Sequence, residues 1–583
     1  MKELITLSFG NTSNYILTHF WNLNDELLKN ESNPLNITHD IIYDDASHPR
    51  TLLFDFSENI RPYYQLNEPP SQDDLAFIQS STSPNTEVHT MYSSAQNENN
   101  FLSMLNELST DMFDYPEQQQ QQQQQTTYNV DDDEDNNNEH HSTKMNLHDV
   151  LKLPDDKLYE YLNFENNVHN WNDYLQPKLP FRSLNELKTL DVDYTKRNSY
   201  LYGKNFLHNG SNYNTQMYYD VFEDNFRHLL ENCDQLEYIT LLIDCNSLWS
   251  GLAMSFIEDV NDMIPKVIKV INSVDSTSSM YNTVNGGFDY EKHINLSFFL
   301  SDIHDTLSNK ALYTPLYLNE TPTYINDVFN YTQHDNDNDN TPVYNYYCSS
   351  LLALQLQTFH MPLRSQIYNK HSYIRSLMFN ESDLNIFEHD LLFQMEYPGN
   401  ALPKAAHTDG YIASFARNFK SKNFSWLKLH ESVFMLNKHS TSIIYGYNDK
   451  YKIMGKTYNT WLDKLSQRIY VNEDKYEVPI CFPRKMVDVS GKAFYYKDVS
   501  CAVNVRPYVD YCTKGCLKMY KNEVKEYKMG INKVMKERYV DWVGDYNDKV
   551  ESVLNMIASY KEYAEEVMCQ FEDSEDDEEE VDY

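Results

Sequence analysis

A polar turn near the start of the chain carries residue types that can hold a phosphate group. The apolar, β-forming run Leu4–Phe9 predicts a buried strand that Gly10 ends, and apolar residues at helical spacing follow from Tyr15 to Leu27. The polar residues between them are Asn11, Thr12, Ser13 and Asn14. Backbone N–H groups at a helix start attract anions, so this turn could bind a nucleotide phosphate. The alternative is that Gly10 only permits a tight turn between strand and helix.

The same order of elements returns in the middle of the chain. Tyr238–Asp244 is the strongest strand signal, and the polar turn Cys245–Gly251 separates it from a helix with apolar residues from Leu252 to Val260. Val267–Ile271 is the next predicted strand. A βαβ unit of this kind places its two strands in a parallel sheet. Its glycine could likewise serve a phosphate or only a tight turn.

Other catalytic chemistry finds no support in the sequence. The chain holds no serine nucleophile elbow, no HExxH zinc motif and no lysine-bearing phosphate loop. The 19 histidines are dispersed, and the 8 cysteines form no CxxC pair. This pattern favours free thiols in a reducing compartment over a zinc site, so we expect no bound metal.

Composition excludes further classes of function. The net charge is −39, and two acidic runs, Asp131–Glu139 and Glu572–Asp582, contain no lysine or arginine. Because nucleic-acid binding needs clustered basic residues, we expect no direct contact with DNA or RNA. No apolar run reaches the length of a membrane span, and no arginine-rich targeting helix opens the chain. We expect a protein that meets an organelle only from the cytosol.

Residues 71–145 form a polar stretch between more apolar parts of the chain. They are rich in Ser, Asn and Gln, and they include the Gln118–Gln125 tract. Such a segment cannot bury enough apolar surface to offset the entropy of ordering it, so we expect a disordered insertion. Apolar residues from Phe101 to Met112 predict one transient helix within it.

Three stretches together resemble the nucleotide domain of tubulin. They are the strand, glycine turn and helix of Leu4–Leu28, the strand Pro49–Asp55 that ends in an acid, and the helix, strand and loop of Asn232–Gly251. The helix predicted over Val550–Glu565, with the acidic tail, resembles the end of tubulin. The resemblance implies an α/β fold with a Rossmann-type parallel sheet in the N-terminal domain, an α+β middle domain, and C-terminal helices with an acidic tail.

One divergent branch of tubulin relatives, the Misato family (Dml in fungi), resembles the chain more closely. The motifs that carry this resemblance are Val168-x-x-Trp171-x-Asp173-Tyr174-Leu175, Phe181-Arg182-Ser183, and Cys348-Ser349-x-x-Leu352-Ala353 with its continuation through Thr358 to Pro362-Leu-Arg364. The implied division is 1–70 with 146–285 as the nucleotide-type domain, 71–145 as the insertion, 286–500 as the middle domain, 501–570 as a helical region and 571–583 as the tail.

The resemblance to tubulin also implies where a nucleotide would bind. The residues at those positions are Gly10, Asn11, Thr12, Asn14, Asp55, Asn246, Ser247, Ser250 and Gly251. In tubulin the second loop is glycine-rich because its backbone must approach phosphates closely. Here only Gly251 is left, while Trp249 adds bulk and Ser13 replaces a glycine of the first loop. Asp55 could still serve a nucleotide-bound Mg²⁺. We expect no cofactor and no catalysis, with GTP binding and GTPase activity as the alternative.

The Misato resemblance implies a cellular role. We expect a tubulin-like, non-catalytic protein required for the partitioning of mitochondria and the inheritance of mitochondrial DNA. Its expected location is the cytoplasm and the outer mitochondrial surface, as a peripheral component. The alternative is a GTP-dependent assembly or tubulin-folding factor that acts on the cytoskeleton. Both imply protein partners, from the cytoskeleton or the tubulin-folding machinery.

Overall fold

The computed structural model describes about half of the chain. The described residues are 3–29, 39–61, 99–111, 150, 152–188, 192, 197–207, 219–275, 290–307, 310–317, 342–364, 373, 377, 385–395, 441–445, 468–472, 476–487, 493–495, 498–507, 551 and 555. The glutamine tract, both acidic runs and nearly all of the helix predicted over Val550–Glu565 lie outside them.

Six parallel strands form the first part of a long sheet. Their bounds are β1 (Glu3–Phe9), β2 (Thr51–Phe56), β3 (Leu184–Leu187), β4 (Leu236–Asp244), β5 (Ile268–Asp275) and β6 (Ala311–Tyr317). Their order is β3-β2-β1-β4-β5-β6, and each pairs in parallel with its neighbours. This arrangement confirms the predicted α/β class and the tubulin-like parallel sheet. The opening strand β1 lies inside the sheet, between β2 and β4.

The sheet continues past the predicted end of the first domain. Its further strands are β7 (Asn385–Met395), β8 (Thr441–Tyr445), β9 (Arg468–Asn472), β10 (Tyr476–Glu477) and β13 (Asp498–Pro507), while β11 (Lys485–Val487) and β12 (Ala493–Tyr495) form a separate pair. The strand β7 pairs in parallel with β6 and antiparallel with β13. A domain boundary at residue 285 therefore does not break the sheet. The predicted helical region 501–570 is also wrong at its start, because residues 501–507 are held in β13 by pairing with β7 and β8.

Helices cover both faces of the parallel sheet. Their bounds are α1 (Asn11–Lys29), α2 (Asn100–Asp111), α3 (Asp155–Leu162), α4 (Phe164–Asn167), α5 (Tyr200–Phe206), α6 (Arg227–Glu231), α7 (Leu248–Met263), α8 (Tyr290–Leu307) and α9 (Pro342–Arg364), with a π-helix over Tyr219–Phe226 before α6. One apolar cluster joins the sheet to α1 and α9, and the other joins it to α5, α7 and α8.

The central strand β1 sends apolar side chains to both faces of the sheet. Leu4 belongs to the cluster of α1 and α9, whereas Ile5, Leu7 and Phe9 belong to the opposite cluster. Burial on both faces explains why its sequence reads as a nearly continuous apolar run.

The helix α2 lies inside the segment predicted to be disordered. Phe101 and Leu102 are only 1% and 2% exposed, and the ring of Phe101 meets that of Phe164 at 5.3 Å. Asn99 caps the helix by accepting from the N–H of Phe101 at 3.0 Å and donates to the carbonyl of Asp173 at 3.0 Å. Disorder is therefore wrong for residues 100–111, because two apolar side chains of the predicted helix join the core.

Two further expectations concern only the described residues. No disulfide joins any of the five described cysteines, which are Cys233, Cys245, Cys348, Cys481 and Cys501. Among the helices listed above, none is both long enough and apolar enough to cross a bilayer.

Candidate functional site

The carboxyl ends of β1, β2 and β4 meet at the start of α1. In the paired strands, Phe9 lies opposite Phe54 of β2 and Ile243 of β4. The residues that follow these three are Gly10, Asp55 and Asp244. Parallel pairing therefore brings a glycine and two carboxyl groups to the edge where α/β sheets bind their ligands.

Asp244 occupies the N-terminus of α1. Its Oδ2 accepts a hydrogen bond from the backbone N–H of Thr12 at 3.1 Å, and its Oδ1 accepts from the N–H of Ser13 at 2.9 Å. The Ser13 hydroxyl donates to the same Oδ1 at 2.7 Å. The helix dipole and the unpaired N–H groups of a first turn favour a negative charge. Here β4 supplies that charge from within the chain.

Gly10 makes this contact sterically possible. Its φ of +106° lies in the region that L-residues with a side chain rarely adopt. A Cβ at this position would also lie 2.5 Å from Oδ2 of Asp244. The glycine thus serves the tight turn that we considered as an alternative, and the space beside it is filled by a carboxylate.

Asp55 is held by four N–H donors. Asn14 and Trp171 donate to its Oδ2 at 3.1 and 3.0 Å, while Asn59 and the backbone N–H of Phe56 each donate to its Oδ1 at 2.8 Å. A carboxylate offers about four lone-pair positions, so these donors use its acceptor capacity. Asp55 is therefore engaged as a structural acceptor, which does not fit a Mg²⁺ ligand.

The remaining predicted residues of the first turn lie close by. Asn11 begins α1 and is half-buried, and Thr12 is buried. Asn14 is fully buried and links α1 to β2 by a second bond, from Nδ2 to the carbonyl of Phe54 at 3.1 Å. Its Oδ1 has no hydrogen-bond partner within the described part of the chain.

Both carboxyl groups titrate near neutral pH. Burial raises the pKa of Asp244 to about 6, although the bonds from Ser13 and Thr12 oppose the rise. Burial also raises the pKa of Asp55 to about 7, opposed by the bonds from Asn59 and Asn14 and increased by the negative charge of Asp244. Burial is therefore the main cause of both raised pKa values, and the charge of Asp244 adds a smaller contribution at Asp55.

The second predicted loop is hydrogen-bonded within the protein. Ser247 caps α7 by accepting from the N–H of Trp249 at 3.4 Å, and the hydroxyl of Ser250 donates to the carbonyl of Ser247 at 2.7 Å. The carbonyl of Asn246 accepts from Asn295 of α8 at 3.3 Å. The structure thus places Asn246, Ser247 and Ser250 in the turn that starts α7.

Gly251 lies at a contact between two helices. A Cβ on Gly251 would overlap the carbonyl oxygen of Tyr200 in α5, and a Cβ on Gly203 of α5 would overlap the carbonyl oxygen of Leu248 in α7. The two glycines therefore let α5 and α7 pack backbone against backbone. Gly251 is required by this packing, and its open face is taken by α5.

Arg197 joins the loop Cys245–Gly251 to the end of β2. Its carbonyl accepts from the N–H of Leu248 at 2.8 Å, and its side chain pairs with Glu58 at 2.7 Å. The guanidinium lies 4.2 Å from the ring centre of Phe56, and Trp249 contacts the same ring at 4.9 Å between centroids. The indole that we expected to crowd a phosphate thus packs at the end of β2.

Two family domains match the chain in sequence. Residues 2–152 match the Misato Segment II tubulin-like domain, and residues 163–365 match the Tubulin domain. The first includes β1, α1 and β2, while the second includes β4, β5 and β6. The chain is a tubulin-like protein that carries a Misato segment.

A curated fungal relative is similar over a short stretch. Protein DML1 of Coccidioides immitis (strain RS) is 33% identical over 78 residues, which cover 12% of this chain and 15% of that relative. The similar stretch is thus a small part of the relative's length.

The Misato motif around Trp171 packs against the first turn of α1. Trp171 reaches Asp55, and Asp173 accepts from the N–H groups of His169 and Asn170 at 2.7 Å each. Asp173 also pairs with Arg61 at 2.5 Å. The residues that define this motif are buried, and they close the side of the candidate site that lies nearest to β2.

Sequence reasoning missed the residue that occupies the site. The sequence marks Asp244 only as the last residue of a strand, and it gives no sign of the roles of Gly203, Arg197 or the Trp171–Asp55 bond. An acid at the carboxyl end of the strongest strand was a usable signal, because that edge faces α1 once β4 pairs with β1.

Proposed function

We propose that this protein keeps the tubulin fold without nucleotide chemistry and acts through protein partners in the partitioning of mitochondria and the inheritance of mitochondrial DNA. The absence of nucleotide chemistry is proposed on one observation, which is the contact of Gly251 with the carbonyl of Tyr200. The helix α5 takes the face of the loop that a phosphate would need. The proposal adds no enzymatic step and no cofactor.

The electrostatics of the first turn support the same proposal. A nucleotide phosphate would need the N–H groups of Thr12 and Ser13, which Asp244 already uses. Placing a phosphate beside two buried carboxylates would add like charges in a region of low dielectric constant. The residues present do not fit a bound nucleotide, so GTP enters no part of the proposed function.

Similarity to the Misato family supports the mitochondrial half of the proposal. The Misato resemblance implies a role in mitochondrial distribution and in the inheritance of mitochondrial DNA. We propose that the protein works in the cytoplasm and at the outer mitochondrial surface as a peripheral component. Its proposed partners are cytoskeletal proteins or components of the tubulin-folding machinery.

Nucleotide content tests the non-catalytic half. The full chain is purified, denatured in acid, and its released nucleotides are separated by ion-exchange chromatography. Tubulin purified in parallel shows whether the procedure retains a bound nucleotide. We expect far less than one nucleotide per chain. Stoichiometric GTP or GDP would contradict the proposal and favour a GTP-dependent assembly or folding factor.

Depletion tests the mitochondrial half. The protein is depleted in living cells, and mitochondrial distribution and mitochondrial DNA are followed through cell division. We expect uneven distribution of the organelle and loss of its DNA, both reversed by the intact chain. Normal segregation after complete depletion would remove the mitochondrial assignment.

A further inference from the structure

We propose that Asp244 is an internal anion that closes an anion-binding position at the start of α1, and that removing its side chain opens this position to inorganic phosphate. The inference rests on the proposed function, because it takes the intact protein to hold no nucleotide there. It assigns Asp244 as the residue that decides against a phosphate ligand.

Three donors converge on the carboxyl group of Asp244. They are the backbone N–H groups of Thr12 and Ser13 and the hydroxyl of Ser13, at 2.7 to 3.1 Å. They belong to the first turn of a 19-residue helix, whose dipole favours an anion. Substitution by alanine removes the acceptor and leaves these donors facing the vacated volume.

Two unpartnered polar atoms lie near this turn in the sequence. Oδ1 of Asn14 and Oγ of Ser8 are buried and have no hydrogen-bond partner in the part of the chain that the structure describes. Both are acceptors, and a singly or doubly protonated phosphate carries hydroxyl donors that could pair with them. The missing Cβ of Gly10 adds room on the side from which Oδ2 of Asp244 approaches.

The charges around the position favour exchange of one anion for another. Asp55 is the neighbouring acid, and the charge of Asp244 contributes to its raised pKa, so a further negative group beside Asp55 would be unfavourable for the same reason. Within the described residues, neither carboxylate forms an ion pair with Lys, Arg or His. A phosphate in addition to Asp244 is therefore unfavourable, whereas a phosphate in its place keeps one anion at the helix start.

Thermal unfolding of Asp244→Ala in phosphate tests the proposal. The variant, the intact chain and Asp234→Ala are compared in sodium phosphate and sodium chloride at equal pH and ionic strength. Asp234 is exposed and precedes β4, so its variant removes the same side chain without touching α1. We expect a saturable rise in melting temperature of about 2–4 °C for Asp244→Ala. The rise in melting temperature of the intact chain and of Asp234→Ala measures the non-specific stabilisation by phosphate.

A second measurement applies if Asp244→Ala does not fold in sodium chloride. Asp244→Ala is then refolded from urea with increasing inorganic phosphate, and recovery is read by near-ultraviolet circular dichroism. We expect phosphate to restore folding. A response no larger than that of Asp234→Ala, in either measurement, overturns the inference. Nucleotide found in the intact chain would instead overturn the proposed function, so the two failures are distinguishable.

Discussion

The indole N–H of Trp171 donates a hydrogen bond to Oδ2 of Asp55 at 3.0 Å and joins residues 116 positions apart in the chain. Asp55 lies in the Misato segment and Trp171 in the tubulin-type segment. Both side chains are buried. The bond therefore ties the two matched segments together at the edge of the sheet where α1 begins.

Loss of this bond should destabilise the protein. Trp171→Phe keeps an aromatic ring but leaves Asp55 with three donors, so we expect the free energy of unfolding to fall by about 1–3 kcal/mol. Urea denaturation measures the change. A double-mutant cycle with Asp55→Asn should show coupling, because the two residues share one hydrogen bond. Additive effects of the two substitutions would mean that the bond contributes no stability.

The buried acids should make stability depend on pH in a particular direction. The pKa of Asp55 is raised from an ordinary value near 4 to about 7, so between these values the folded state retains a proton that the unfolded state has lost. The free energy of unfolding, relative to Asp55→Asn, should therefore fall as pH rises from about 4 to about 7 and stay level above. The total change is on the order of 4 kcal/mol. Denaturation of both proteins across this range measures it.

The comparison with Asp55→Asn is needed because His19 changes the pH dependence of the unfolding free energy in the opposite direction. Burial lowers the pKa of this histidine to about 3, so the folded state resists a proton that the unfolded state accepts below pH 6.5. Its contribution makes stability rise with pH and cancels when the two proteins are subtracted. A difference curve without slope would show that the pKa of Asp55 is not raised.

A methyl group at either helix-contact glycine should separate α5 from α7. Gly251→Ala and Gly203→Ala each place a Cβ on a backbone carbonyl, and we expect losses of about 1–3 kcal/mol in unfolding free energy. Thermal or urea unfolding measures them. Asp262→Ala, at an exposed position of α7, is the matched control and should change stability little. Equal stability of the glycine variants and this control would exclude the close backbone contact.

Gly10→Ala should be costly for two separable reasons. The left-handed φ costs about 1 kcal/mol or more for a residue with a side chain, and the new Cβ meets Asp244. Removing Asp244 relieves only the second cost. The loss caused by Gly10→Ala should therefore be smaller in an Asp244→Ala background, as measured by urea denaturation. An equal loss in both backgrounds would mean that the clash with Asp244 is absent.

Local sequence patterns predict the central elements well. The runs that became β1, α1, β2, β4 and α7 are long, apolar and bounded by glycine or polar turns, so their periodicity outweighs other influences. The position of Gly10 in a strand-to-helix turn was likewise readable, because few residues other than glycine permit that backbone.

Long-range geometry could not be read in the same way. Asp244 reaches the start of α1 only because β4 pairs with β1, and their contacts join residues more than 230 positions apart. The role of Gly251 depends on α5, which is packed against α7 by tertiary contacts. The apolar residues from Phe101 to Met112 predict the helix α2, but its burial depends on Phe164 and Asp173, which lie beyond the polar stretch.

The carboxylate at the start of α1 is also an anion that cannot dissociate from the helix. A helix stabilised by a dissociable ligand gains free energy with the logarithm of the ligand's concentration, so its stability follows supply. Asp244 is covalently part of the chain, and its occupancy of the helix start has no concentration term. The stability that it confers on the start of α1 therefore does not vary with the supply of a dissociable ligand.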